Sequence, residues 1–217
     1  MVTHPLWRPY ADAANAERQA HRVGRRQVAP GQLQPYRERW TSDYIELRAL
    51  ISSRLGDLML SIRHIGSTAV PGLSAKPVID IDLTVPEVED DESYVPRLQQ
   101  AGFELSFRDR LGGDPHRQLT YAAPNANLHV WGPRAIEPQR HRLFTRWLSE
   151  HPTDRDLYAS AKREAVRTEG PSGYNDLKAA VVYDIYERAF LADQTHHHEP
   201  QPRRTSAVMG WTMGQRS

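Results

Sequence analysis

The chain has 217 residues, of which 28 are lysine or arginine and 27 are aspartate or glutamate, so its formal net charge is +1. This balance argues against a dedicated polyanion-binding protein, and the lack of cysteine excludes disulfides, thiol catalysis and cysteine-ligated zinc. The apolar runs are far shorter than the roughly 20 residues that span a bilayer, and no signal peptide is recognisable. We therefore expect a cytoplasmic protein with no membrane partner.

Both ends of the chain lack the apolar residues of a core. Residues 1–31 are rich in arginine and alanine and are expected to be a flexible basic extension, with a short helix within 12–27. A basic helix can also contact nucleic acid or a membrane surface, so that alternative stays open. Residues 193–217 are expected to be a disordered tail, although the three consecutive histidines at 196–198 could instead hold a metal ion.

Between the two ends, helical and strand-like patterns alternate. In chain order, the patterns predict a helix over 41–56, strands over 59–65 and 78–85, a helix over 92–101, strands over 103–107, 117–122 and 127–131, and helices over 138–150, 154–168 and 173–192. A Gly-Gly-Asp-Pro turn at 112–115 separates two of these strands. Strands with one inserted helix, followed by a run of helices, predict an α+β fold with a mixed sheet, flanking helices and a C-terminal helical block.

Two aspartates alternate with apolar residues in the second predicted strand. Side chains at i and i+2 share one face of a strand, so Asp80 and Asp82 project together while Ile79, Ile81 and Leu83 face the core. Two adjacent carboxylates repel each other unless a cation lies between them, and Mg²⁺ prefers such oxygen ligands. The pattern predicts a Mg²⁺ site, with Mn²⁺ as the alternative ion. The other interpretation is an exposed strand face whose aspartates meet only water.

A Gly-Ser pair, Gly66-Ser67, follows the first predicted strand and precedes the acidic strand by a short connection. Glycine lets the backbone approach a ligand, and a serine hydroxyl with the N–H groups that follow it can hold a phosphate oxygen. A strand, a Gly-Ser pair and an Asp-x-Asp strand resemble the signature of the nucleotidyltransferase superfamily. The whole stretch His-Ile-Gly-Ser-Thr-Ala-Val-Pro-Gly-Leu-Ser-Ala-Lys-Pro-Val-Ile-Asp-Ile-Asp, residues 64–82, resembles the GrpB family within it.

The resemblance to the GrpB family covers about residues 32–191 and sets the expected domain at 32–192. It implies a nucleotidyltransferase-like sheet in which Asp80 and Asp82 are catalytic and hold the metal. Residues implied to bind the nucleotide or its phosphates are Gly66, Ser67, Thr68, Lys76, Lys162 and Lys178. Where polymerase-like members bring a third acid from a neighbouring strand, this sequence offers His129 as a catalytic candidate. Histidine can ligate a metal or move a proton, whereas the alternative is a core histidine hydrogen-bonded to backbone.

Three functions remain open from the sequence. The first is a Mg²⁺-dependent nucleotidyltransferase that moves a nucleotidyl group from a nucleoside triphosphate to an unknown small-molecule acceptor, with no nucleic-acid partner expected. The second is a non-catalytic nucleotide- or phosphate-binding module on the same fold, and the third is another metal-dependent chemistry in the same cleft. The paired aspartates favour the enzyme, whereas the missing third acid favours the module.

Overall fold

The fold is known from a computed structural model that describes residues 1–10, 15–168 and 173–203. Its five strands are β1 (Ser61–Ile65), β2 (Ile79–Thr84), β3 (Glu104–Leu111), β4 (Asp114–Tyr121) and β5 (Ala126–Trp131). They form one sheet in the order β1-β2-β5-β4-β3, in which β2 and β5 are parallel and all other neighbours are antiparallel. The predicted mixed sheet of an α+β fold is therefore confirmed.

Six helices accompany the sheet in the described part of the chain. They are α1 (Asn15–Ala20), α2 (Arg39–Leu55), α3 (Asp91–Gln100), α4 (Glu137–Glu150), α5 (Pro152–Thr168) and α6 (Gly173–Ala192). The predicted elements match within a few residues, except that β3 and β4 are longer because their turn is only the pair Gly112-Gly113. Helix α5 begins at Pro152, two residues before its predicted start, because proline suits the first position of a helix.

One face of the sheet carries the main core. Ile79, Ile81 and Leu83 of β2 are buried on this face, as their alternation with the aspartates predicts. Helices α2 and α3 cover the face, and their buried side chains include Leu47, Ile51, Leu55, Tyr94 and Leu98. This packing fixes the register of β2, because a slip by one residue would turn the two aspartates into the core.

The opposite face of the sheet is polar at its centre. The parallel pairing of β2 and β5 sets Asp80 beside Asn127 and Asp82 beside His129 on this face. Helices α4, α5 and α6 form a second core with the loop that follows β1, whose buried members include Val70, Leu73, Leu148, Tyr158 and Ile185. The helical block thus holds that loop against the edge of the polar face.

The two terminal segments also contact the domain, mostly through polar and aromatic groups. The backbone N–H of Val23 donates to the carbonyl of Ser106 in β3. His4 stacks on Phe190 of α6 at 4.4 Å between ring centroids, and His198 is buried beside it. Composition gave no sign of these contacts, because they use few apolar side chains. The predicted limits of the extension and of the tail stay predictions, and residues 11–14 and 204–217 lie outside the described residues.

None of the described helices is both long enough and apolar enough to cross a membrane.

Candidate functional site

The turn after β1 brings backbone close to the first aspartate of β2. At Gly66 the backbone has φ 70° and ψ −167°, and a single 3-10 turn, Ser67–Ala69, follows. A Cβ at position 66 would lie 2.6 Å from Oδ2 of Asp80. Only glycine satisfies both the positive φ and this approach, so the sequence-predicted Gly-Ser pair lies directly against the predicted metal ligand.

Asp80 lies on the wall of a cavity beneath this turn. Its Oδ1 accepts a 2.7 Å hydrogen bond from Nδ2 of Asn127, and within the described part of the chain no other group donates to this carboxylate. Burial raises the pKa of Asp80, against the opposing effects of the Asn127 hydrogen bond and of the positive charges of Lys178, Arg26 and His141. A half-buried carboxylate with few hydrogen-bond donors is a suitable ligand for a cation.

Asp82 is held differently. Its Oδ1 accepts a 2.8 Å hydrogen bond from Nε1 of Trp131, and its Oδ2 lies 2.9 Å from Nδ1 of His141. Burial alone would lower the pKa of His141, but the hydrogen bond and charge of Asp82 outweigh it and raise that pKa. Asp82 is therefore a buried carboxylate whose ion pair with the half-buried His141 joins β2 to α4.

The cavity lies between the polar face of the sheet and the helical block, and its volume is about 560 Å³. Its charged and histidine side chains are Arg18, Asp80, His129, Glu137, Arg140, His141 and Lys178. Its aromatic side chains are Phe144, Tyr158 and Tyr186, all from the helices. A volume of roughly 300–1,000 Å³ that combines aromatic walls with a few convergent polar groups is typical of small-molecule sites.

The structure brings about half of the sequence-predicted site residues together on this cavity. Those that line it are Gly66, Ser67, Asp80, His129 and Lys178. Those that do not line it are Thr68, Lys76, Asp82 and Lys162. Thr68 is buried, and its hydroxyl donates to the Val78 carbonyl at 3.1 Å. Thr68 therefore anchors the loop that follows β1 and does not line the cavity.

Lys162 anchors the same loop from α5. Its side chain is 2% exposed, and Nζ donates to Oγ of Ser67 at 3.1 Å and to the carbonyl of Ser74. The ammonium also lies 4.7 Å from the centroid of the Tyr158 ring. Burial first, and then the charges of Lys178 and Arg163, lower the pKa of Lys162 to about 7. Lys162 thus contacts Ser67, the predicted phosphate-binding residue, and does not line the cavity itself.

A lysine with so low a pKa is directly measurable, because the chain has only three lysines. In a ¹³C NMR titration we expect one Lys Cε resonance to titrate near pH 7, and we expect that resonance to be absent from Lys162→Met. In the unfolded chain Lys162 keeps its proton up to the ordinary lysine pKa of 10.5, whereas in the folded protein it loses the proton near pH 7. The free energy of unfolding of the wild type should therefore rise relative to that of the variant between pH 7 and 10.5. Titration of all three lysines near 10.5 would contradict this account.

Several residues of the site were missed by the sequence analysis. Glu137, His141, Phe144 and Leu148 recur at helical spacing and form the face of α4 that lines the cavity. That periodicity was a usable signal. No local sequence pattern indicates a role for Arg26. Its guanidinium donates to the side-chain oxygens of Asn125 and Asn127, which lie about 100 residues later in the chain.

A second group of possible metal ligands lies away from the cavity, at the junction of the chain's two ends. Ligand atoms of His4, Asp193 and His196 lie within 4.8 Å of one another. However, Nδ1 of His4 accepts the N–H of Leu6 at 3.0 Å, so the neutral ring carries its proton on Nε2 and donates it to Asp193. Metal-binding histidines present an unprotonated nitrogen to the ion and donate the other N–H. The three side chains therefore join the N-terminal segment to the end of α6 by hydrogen bonds.

Comparison with known proteins gives consistent matches over the described domain. The family model for the GrpB protein matches residues 30–188. UPF0157 protein BH1888 of Halalkalibacterium halodurans is 36% identical over 174 residues, which cover 75% of this chain and 89% of that protein. The crystal structure of the conserved protein GrpB from Enterococcus faecalis is 25% identical, with a TM-score of 0.65 over 74% of this chain and 98% of that chain.

A more distant match is the Cid1 poly(U) polymerase with Mg and 3′-dATP bound. It is 12% identical, with a TM-score of 0.40 over 67% of this chain and 49% of that chain. The predicted α+β fold with its helical block is confirmed by the match to GrpB from Enterococcus faecalis.

Proposed function

Because the chain belongs to the GrpB family, we propose that it is a divalent-cation-dependent nucleotidyltransferase. It would move a nucleotidyl group from a nucleoside triphosphate to an acceptor hydroxyl or amine. The observation that carries this proposal is the Asp80 carboxylate, which lies in the cavity against Gly66 with only one hydrogen-bond donor in the described part of the chain.

The residues at this point fit a hard divalent cation such as Mg²⁺, with Mn²⁺ as the alternative. Within the described part of the chain, Asp80 offers an oxygen to which no group donates, and carboxylates are the ligands that such ions prefer. Asp82 would be the second ligand, using oxygen lone pairs that Trp131 and His141 leave available. When bound, the ion would supply charge neutralisation on the phosphoryl oxygens.

The remaining walls suit the other parts of a nucleotide. Lys178 and Arg140 are cavity cations that would bind phosphate oxygens, as would the Ser67 hydroxyl beside Gly66. The rings of Phe144 and Tyr158 form an aromatic wall of the cavity, perpendicular to each other with 5.4 Å between their centroids. Aromatic faces stack with nucleobases regardless of the base, so this wall would bind the base without choosing it strongly.

The alternative function is a nucleotide- or phosphate-binding module without catalysis. Two observations favour it: Asp82 is already in an ion pair with His141, and His129 stands beside Asp82 where a third acid is expected. The expectation that nucleic acid is not a partner gains no support from the comparisons, since Cid1 is a poly(U) polymerase. We keep a small molecule as the proposed acceptor, with an RNA 3′ end as the competing possibility.

Pyrophosphate release distinguishes these functions. The full-length protein would be incubated with each of the four ribonucleoside triphosphates and Mg²⁺, alone, with a panel of small alcohols and amines, or with short RNAs. We expect release that requires both Mg²⁺ and one class of small acceptor. Binding of nucleotide without any release would support the module, and release stimulated only by RNA would identify the competing acceptor.

A further inference from the structure

A chain of hydrogen bonds crosses three neighbouring strands and ends at the cavity. Asp109 of β3 lies directly opposite His116 of β4, and its Oδ1 is 2.5 Å from Nδ1 of His116. Nε2 of His116 is 3.0 Å from Nδ1 of His129 of β5, which lines the cavity. The other oxygen of Asp109 accepts a 2.9 Å hydrogen bond from Nε of Arg18. Asp109 and His116 are both buried.

The order of donors along this chain is fixed once its first member is ionised. The Asp109 carboxylate is an acceptor only, so Nδ1 of His116 must carry the proton between them. A neutral His116 then has a lone pair on Nε2, which accepts the proton on Nδ1 of His129. A neutral His129 in turn has its lone pair on Nε2, the nitrogen that is left for the cavity.

The charge states needed for this order agree with the surroundings of each group. Burial alone would raise the pKa of Asp109, but its hydrogen bonds with His116 and Arg18 hold that pKa below its ordinary value. Burial lowers the pKa of His116, only partly offset by Asp109. Burial lowers the pKa of His129 well below its ordinary value, and the neighbouring histidines His116 and His141 and the charge of Arg18 act in the same direction. At neutral pH both rings are therefore uncharged and Asp109 is ionised.

We propose that Asp109 and His116 are positioning residues that fix His129 in the tautomer whose Nε2 lone pair faces the cavity, and that His129 is the general base of the transfer reaction. The inference rests on the proposed nucleotidyltransferase function and deepens it. It gives a role to the histidine that stands in register with Asp82, where the expected third carboxylate is missing.

The reaction balances without any further reactant. The acceptor oxygen forms a bond to the α-phosphorus while the bond from that phosphorus to the bridging oxygen breaks, and pyrophosphate leaves with that electron pair. The acceptor proton moves to Nε2 of His129. The ring becomes an imidazolium that still donates its Nδ1–H to His116, whose own Nδ1–H remains on Asp109. The proton then leaves to solvent or to pyrophosphate.

The variant Asp109→Asn tests the order of donors because it should reverse it. Arg18 requires an acceptor at this side chain, so the amide oxygen would turn to the guanidinium and the amide NH₂ would face Nδ1 of His116. His116 would then carry its proton on Nε2 and donate it to Nδ1 of His129. His129 would in consequence carry its own proton on Nε2, with no lone pair left for the acceptor.

Histidine ¹⁵N NMR of the full chain reads the tautomer directly, with His129 assigned from the spectrum of His129→Gln. We expect a protonated Nδ1 and an unprotonated Nε2 in the wild type, and the opposite tautomer in Asp109→Asn. Asp91→Asn is the matched control, because Asp91 is also a carboxylate of this sheet region that pairs with arginine, and its partners Arg108 and Arg117 are not members of the hydrogen-bond chain. An Nε2–H tautomer of His129 in the wild type would overturn the proposal. So would an Nδ1–H tautomer that Asp109→Asn leaves unchanged.

Kinetics test the base role separately. With a nucleotide and acceptor that the wild type accepts, Asp109→Asn should lower kcat by at least about 100-fold, the usual scale for a general base, and leave KM for the nucleotide nearly unchanged. Equal kcat values in the two proteins would overturn the base role even if the tautomer reverses. A wild type with the expected tautomer that transfers no nucleotide would instead overturn the proposed function, and the base role with it.

Discussion

Replacing Gly66 with alanine is expected to abolish Mg²⁺-dependent nucleotide binding and to lower the free energy of unfolding by about 2–3 kcal/mol. The backbone at this position has a conformation open essentially to glycine alone, and forcing another residue into it costs about 1–3 kcal/mol. The added Cβ would also lie 2.6 Å from Oδ2 of Asp80. Either the loop or the carboxylate must therefore move, and each change would displace the group that we propose to hold the cation.

Gly72→Ala is the matched control for this variant. Gly72 also has a positive φ, 79°, but a Cβ there would have no atom within 4 Å. It should lose stability through backbone strain alone and should bind nucleotide as the wild type does. Chemical denaturation gives the stability of both variants, and titration calorimetry with Mg²⁺ and a nucleoside triphosphate gives the binding. Equal binding by the Gly66 and Gly72 variants would show that the close approach to Asp80 has no role in the site.

The two aspartates of β2 are expected to respond to asparagine in opposite ways. Asp80→Asn should weaken Mg²⁺-dependent nucleotide binding by more than about 100-fold. It should leave the protein as stable as the wild type or more so, because it removes a half-buried charge that has one hydrogen-bond donor in the described part of the chain. Asp82→Asn should destabilise the protein by about 1–3 kcal/mol, because the amide cannot accept from both Trp131 and His141.

The same pair of measurements, denaturation and calorimetry, separates the two roles. A loss of stability in Asp80→Asn as large as that in Asp82→Asn would mean that Asp80 is a structural group. Unchanged nucleotide affinity in Asp80→Asn would remove the carboxylate from the proposed cation site.

The centre of the site was predictable because it follows from local periodicity. The alternation of Ile79, Asp80, Ile81 and Asp82 already fixes which side chains enter the core and which face a cleft. Gly66 was predictable for a different reason, since a glycine directly after a strand is where close backbone approach occurs, and its positive φ agrees.

The hydrogen-bond chain from Asp109 through His116 to His129 was not predictable, because it depends on which residues lie opposite each other across a hairpin. With the turn at Gly112-Gly113, Asp109 and His116 become direct partners. The sequence pattern predicts a longer turn at 112–115 and a strand that ends before Asp109, and it therefore does not indicate this pairing. Arg18 precedes Asp109 by 91 positions in the chain, and no local sequence pattern indicates the hydrogen bond between them.

A thermal-shift panel shows whether the cavity beside Asp80 binds a nucleoside triphosphate together with a divalent cation. ATP, GTP, CTP and UTP would each be added with and without Mg²⁺ to the wild type and to Asp80→Asn. A ligand at 100 times its dissociation constant adds about 2.7 kcal/mol of stability, which corresponds to a rise in Tm of roughly 5–10 °C for a domain of this size. We predict such a rise only in the wild type and only with Mg²⁺. No rise with any triphosphate, or an equal rise in Asp80→Asn, would contradict the account.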